Sequence, residues 1–123
     1  MERDPQTYGI IGAAIEVHHT LGPGYLEAVY QEALEIELSL RGVPHQSQPR
    51  LRLQYKGRTL RKYYQPDLVA WGRVVVEIKA QSALISVDVA QIINSLKCAS
   101  RDIGLLINFG QPSLEWKRFA NTI

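Results

Sequence analysis

The chain has 123 residues and a mass of 13.9 kDa, room for one compact domain over residues 1–123 and not for two. Hydrophobic residues make up 46% and charged residues 21%, which excludes a disordered chain. The net charge of +2 hides a division: residues 1–40 hold one base against seven acids, whereas residues 41–73 hold eight bases against the single acid Asp67, a net of +7. Apolar runs are short, as in Val74-Val75-Val76, so no membrane span and no membrane partner are expected. Met1-Glu2-Arg3-Asp4-Pro5 lacks the layout of a signal peptide, and Cys98 alone can form neither an internal disulfide nor a multi-cysteine zinc site. A cytoplasmic location is the expectation.

In chain order, helical spacing of Ile10, Ile11, Ala13, Ala14 and Val17 predicts a helix over residues 5–21, ended by Leu21-Gly22-Pro23-Gly24. A second helix is predicted over residues 25–41, with Leu26, Val29, Tyr30, Ala33, Leu34, Ile36 and Leu40 on a broad apolar stripe and Gly42 just past its end. Leu51, Leu53 and Tyr55 alternate with Arg50, Arg52, Gln54 and Lys56, the period of a half-buried strand that turns at Lys56-Gly57 into a partner over residues 58–64. Residues 66–70 and 74–79 read as another strand pair, joined by Trp71-Gly72-Arg73. A helix over residues 86–100 follows, and the unalternating apolar run of residues 103–109 predicts a strand covered on both faces. The tail over 113–119 adds an edge. The order is α, α, then β-β-β, α, β: an α/β fold with a sheet flanked by helices.

The basic block of Arg41, Arg50, Arg52, Lys56, Arg58, Arg61, Lys62 and Arg73 is interleaved with Tyr55, Tyr63 and Tyr64. Cations for counterion release and flat rings for stacking are what a phosphate backbone requires. The same residues also suit a solvated strand surface that resists edge-to-edge pairing. Arg50, Arg52, Lys56, Arg58, Arg61 and Lys62 are the candidate nucleic-acid contacts.

Glu77 and Lys79 carry more information, because charges within an apolar strand are costly to desolvate unless they are paired or bind something. Alternation puts Val75, Glu77 and Lys79 on one face, around a polar site, and Val74, Val76 and Ile78 on the core face. A three-residue loop at Trp71-Gly72-Arg73 sets Asp67 opposite Glu77 and keeps Leu68 and Ala70 with the core; a two-residue loop would put Asp67 in the core. Two carboxylates facing each other across neighbouring strands repel. A divalent cation, Lys79, or both would offset that. An exposed Glu77–Lys79 pair with Asp67 merely ending a turn is the bland alternative.

Pro66-Asp67, nine residues, then Glu77-Ile78-Lys79 resembles the PD-(D/E)XK motif of the restriction-endonuclease-like nucleases. Residues 21–30, with Gly24, Glu27 and Tyr30, resemble the signature of a bacterial and archaeal group within that superfamily named GxxExxY. Tyr55-Lys56-Gly57 and residues 104–110 resemble its later blocks, and the similarity covers most of residues 8–121. The resemblance implies a restriction-endonuclease-like αβββαβ core with a mixed central sheet. It further implies Mg2+ or Mn2+ held by Asp67, Glu77, the Ile78 carbonyl and Glu27. Lys79 would orient or activate the attacking water, and Gln91 would orient substrate or water. Ser95 departs from a tyrosine common in that group, in the run Gln91-Ile92-Ile93-Asn94-Ser95-Leu96-Lys97.

The expected function is therefore metal-dependent hydrolysis of phosphodiester bonds in nucleic acid, DNA in preference to RNA. The alternative is a non-catalytic nucleic-acid-binding or assembly module that retains the fold. So small a chain has little surface for reading sequence, which points to a homodimer or a larger complex. Glu27 also suits a helix N-terminus by its charge alone, Tyr30 a packing role with a polar tip, and Cys98 a small buried position. His18 and His19 point about 100° apart and are not joint ligands. Gly9-Ile10-Ile11-Gly12 lacks the Gly-Lys-Ser/Thr of a phosphate loop.

Overall fold

A computed structural model describes residues 4–121; Met1, Glu2 and Arg3, read above for a signal sequence, lie outside the described residues. Helix α1 (Pro5–Leu21) starts where the Asp4 carboxylate accepts the Gln6 N–H at 3.0 Å, with Pro5 at the first helical position, where no N–H is needed. The Arg73 guanidinium, 2.9 Å from Asp4, holds that carboxyl at about 2, well below its usual range. Helix α2 (Glu27–Leu40) buries Tyr30, Leu34 and Leu38, one residue per turn, against α1 and the sheet.

A short strand β1 (His45–Ser47) leads into the hairpin β2 (Leu51–Tyr55) and β3 (Arg58–Tyr64), then β4 (Leu68–Ala70) and β5 (Val74–Lys79). Helix α3 (Ser86–Cys98) crosses over to β6 (Ile103–Asn108), and β7 (Glu115–Ala120) closes the far edge. The main sheet has the order β1-β4-β5-β6-β7. Only β5–β6 is parallel, as the intervening helix requires; the other neighbours are antiparallel. This is the mixed, helix-flanked sheet expected from the sequence.

Two cores lie on opposite faces of that sheet. On one, Ile10, Ala14 and Val17 of α1 and Tyr30, Leu34 and Leu38 of α2 meet Leu68, Val74, Val76, Ile78 and Leu105. On the other, Ile92 and Leu96 of α3 and Leu51 of the hairpin meet Val69, Val75 and Leu106. The core face of β5 is thus as expected. Its opposite face is not polar throughout, because α3 covers Val75 completely and the polar stretch begins only at Glu77. The hairpin pairs β2 with β3 as the alternation predicts, and it forms a separate two-stranded sheet; the edge beside β4 is taken by β1, whose three residues are too few to show a period.

The turn before α2 depends on Tyr30. Its buried hydroxyl donates to the Gly22 carbonyl at 2.6 Å and accepts the Tyr25 N–H at 3.2 Å, while its ring stacks on Phe109 with centroids 4.6 Å apart. Gly24, at φ 116°, adopts a backbone that side chains disfavour. Tyr30→Phe is expected to leave the stacking intact and two backbone groups unpaired, costing about 1–2 kcal/mol in urea denaturation. A loss under 0.3 kcal/mol would show the turn to be held by other means.

Candidate active site

The loop Trp71-Gly72-Arg73 has three residues, closed by the Arg73 N–H to the Ala70 carbonyl at 3.0 Å. Trp71 and Gly72 take φ of 54° and 63°, the left-handed pair that brings β5 back along β4. The register Leu68↔Val76 and Ala70↔Val74 makes Asp67 and Glu77 the next facing residues. They do converge. The Asp67 N–H donates to Glu77 Oε1 at 3.0 Å, and Asp67 Oδ2 accepts the Ile78 N–H at 2.6 Å.

Ile78 is the hinge of this arrangement. Lys79 turns its backbone to β6, accepting the Phe109 N–H at 2.8 Å, so by strand alternation Ile78 turns both its N–H and its carbonyl to the β4 side. Beyond Leu68, β4 has no ladder group for that carbonyl. Ile78 thus presents a backbone oxygen beside the carboxylates while its side chain lies in the core.

Burial pushes the Glu77 carboxyl up to about 7, and the nearby Asp67 charge adds to the rise; the Asp67 N–H, Tyr64 and Lys79 oppose it. Asp67 is raised as well, again chiefly by burial, while its hydrogen bond from Ile78 and the Lys79 charge act in the opposite direction. Among the described residues Lys79 makes no ion pair within 4.0 Å, so its ammonium does not fill the space between the acids. Two half-buried carboxylates that resist ionisation, beside the Ile78 carbonyl, are hard ligands suited to a divalent cation.

Helix α2 braces Asp67 from behind. Gln31 Nε2 donates to the Asp67 carbonyl at 2.7 Å, and the Gln48 N–H donates to the same oxygen at 3.0 Å. One turn on, Glu35 raises Asp67 by its charge and accepts the Ser47 hydroxyl at 2.9 Å. Glu27, Gln31 and Glu35 are spaced four apart and share one helix face. Glu27 itself is exposed in the first turn, and among the described residues no three His, Cys, Asp or Glu side chains gather as a metal cluster, so it stands apart from the Asp67–Glu77 pair here. Gln91 is exposed on α3, next to buried Ile92. Gln31, Glu35 and Tyr64 were not singled out as site residues from sequence; the four-residue stripe on α2 was the available signal for the first two.

Arg50, Arg52, Lys56, Arg58, Arg61 and Lys62 are all exposed on or beside the hairpin. Arg52 pairs across the ladder with Tyr63, and Arg61 lies two residues from Tyr63, so the three share the solvent face. The Arg50 guanidinium lies 4.8 Å from the Tyr63 ring centroid, a cation stacked on an exposed aromatic face. Lys56 and Arg58 flank the turn at the hairpin tip. No helix among the described residues is long and apolar enough to cross a membrane.

No curated protein matches the chain. Among solved structures, the crystal structure of SSO0001 aligns over 98% of this chain and 80% of its own, at 13% identity and a TM-score of 0.47. The facing Asp67 and Glu77, the Ile78 backbone and Lys79 lie in the αβββαβ arrangement, and the family model of the PD-(D/E)XK nuclease superfamily matches residues 4–119; the chain belongs to that superfamily.

Proposed function

We propose that this chain is a metal-dependent nuclease that hydrolyses phosphodiester bonds, in DNA in preference to RNA, with Mg2+ or Mn2+ as cofactor. The observation that carries it is the convergence of Asp67 and Glu77, held by the hydrogen bonds between their strands, with no ion pair to either acid among the described residues. Asp67, Glu77 and the Ile78 carbonyl would hold the cation, and Glu27 would join them from α2. When bound, the cation supplies charge neutralisation at the phosphate and acidifies water. Lys79 stabilises charge building on the phosphate and orients the nucleophile from the face it shares with Glu77. Gln91 contacts substrate from α3. The hairpin holds the strand through Arg50, Arg52, Lys56, Arg58, Arg61 and Lys62.

The same proposal places the chain in the GxxExxY group, by Gly24, Glu27 and Tyr30. It treats residues 1–123 as one nuclease domain, cytoplasmic, acting as a homodimer or within a larger complex.

Purified protein incubated with single- and double-stranded DNA and RNA is expected to cut DNA in Mg2+ or Mn2+ and not in chelator. Mn2+ at 100 times its Kd should stabilise the wild type by about 2.7 kcal/mol and leave Asp67→Asn unmoved. Binding that weakens steeply with salt, without cleavage and without a Mn2+ effect, would establish the non-catalytic binding module instead.

A further inference from the structure

Tyr64 ends β3, three residues before Asp67, and lies on the inner face of the hairpin opposite Leu51. Its ring packs on the core formed by Val75, Ile92 and Leu96. Its hydroxyl oxygen is fully buried and, among the described residues, lies within hydrogen-bond distance of no partner, yet it stands beside the Glu77 carboxylate, with Asp67 also within electrostatic reach. An unpaired buried hydroxyl is costly, and phenylalanine would fill the same space without that cost. A phenol hydroxyl carries a proton that it can donate to a neighbouring carboxylate.

Glu77 already accepts the Asp67 N–H on Oε1. A second donor would fix the plane of the carboxylate and leave the lone pairs that face Asp67 for a ligand. Resting on the nuclease proposal above, we propose that Tyr64 is a positioning residue of the cation site, its hydroxyl donating to the Glu77 carboxylate to hold it in the orientation that receives the metal.

The same strand reaches two sites at once. Tyr63 points to the opposite face, where Arg50 stacks on it, so successive residues of β3 serve the outer basic surface and the carboxylates. Tyr64 acts through Glu77 and has no part in holding the nucleic-acid strand. Its loss is therefore expected to fall on kcat and not on KM.

The test is Tyr64→Phe in the full chain, with Mn2+ affinity measured by the electron paramagnetic resonance of free Mn2+ at fixed pH and ionic strength. The variant is expected to melt without metal at the wild-type temperature or above, since packing is kept and an unpaired hydroxyl is removed. Its Mn2+ Kd should rise about tenfold, as for loss of an outer partner of a metal ligand. With a DNA oligonucleotide, kcat should fall while KM stays within twofold. Tyr63→Phe should leave the Mn2+ Kd unchanged. If wild type binds Mn2+ and Tyr64→Phe binds it within twofold as tightly, or if Tyr63→Phe weakens it equally, the role of Tyr64 is refuted. Wild type that binds no Mn2+ refutes the nuclease proposal itself, and this one with it.

Discussion

Glu77→Gln is expected to abolish cation-dependent cleavage, by about a thousandfold or more, and at the same time to make the protein more stable at neutral and alkaline pH. The first effect follows from removing a charged ligand while keeping its shape. The second follows from burial. A carboxyl raised from an ordinary 4.5 to about 7 in the folded protein binds a proton more tightly there than in the unfolded chain. Between those values stability falls as pH rises, and above about 7 the folded state carries the whole cost, on the order of 3 kcal/mol. Glutamine has no such cost and keeps an oxygen for the Asp67 N–H. Urea denaturation of both proteins should give equal stability near pH 4 and a gap in favour of the variant at pH 8. Saturating Mn2+ should narrow the gap by stabilising only the wild type. Equal stability at pH 8 without metal would mean that Glu77 is not strained by its neighbours, and the cation site would lose its main physical support.

Asn108→Leu is expected to destabilise the fold by on the order of 4 kcal/mol, a change of similar volume made entirely costly by hydrogen bonding. Asn108 is fully buried at the end of β6, level with Lys79 on β5. Its Oδ1 accepts the N–H groups of Gln81 and Gly110, at 3.0 and 3.1 Å. Its Nδ2 donates to the Gln81 carbonyl at 2.9 Å and to Glu115 at 3.0 Å. Leucine would leave three backbone groups without partners where the chain leaves Lys79 for α3. Gly110 completes this clasp: a Cβ there would come within 2.3 Å of the Gln81 carbonyl oxygen and 2.4 Å of its nitrogen, backbone atoms that cannot swing away. Chemical denaturation with matched m-values is the measurement, and a loss under 1 kcal/mol would show that water replaces the amide.

The facing of Asp67 and Glu77 could be derived from sequence because a parity argument is discrete. Leu68, Ala70, Val74 and Val76 had to share the core, and only an odd loop allowed it. The observed register obeys that constraint. The same logic misjudged Val75. Alternation assigns it to a face but says nothing about what covers that face, and Ile92 and Leu96 of α3, distant in sequence, bury it. The alternation of residues 51–64 likewise defines a pair of strands and not the sheet they belong to. Asn108 stood within an apolar run and carried no sign that its amide would satisfy three backbone groups at once.

From the amino-acid order alone came the three helices, every strand but β1, the β4–β5 register, and the proximity of two acids and a lysine, since these depend on periods of 2 and 3.6 and on a loop of three residues. Only the tertiary structure decided that Gln31 and Glu35 back Asp67 and that Tyr64 brings a buried hydroxyl to Glu77. Those contacts join segments separated by more than ten residues. They follow from how the helices and the hairpin settle on the sheet through apolar packing, which has no periodic trace in the chain.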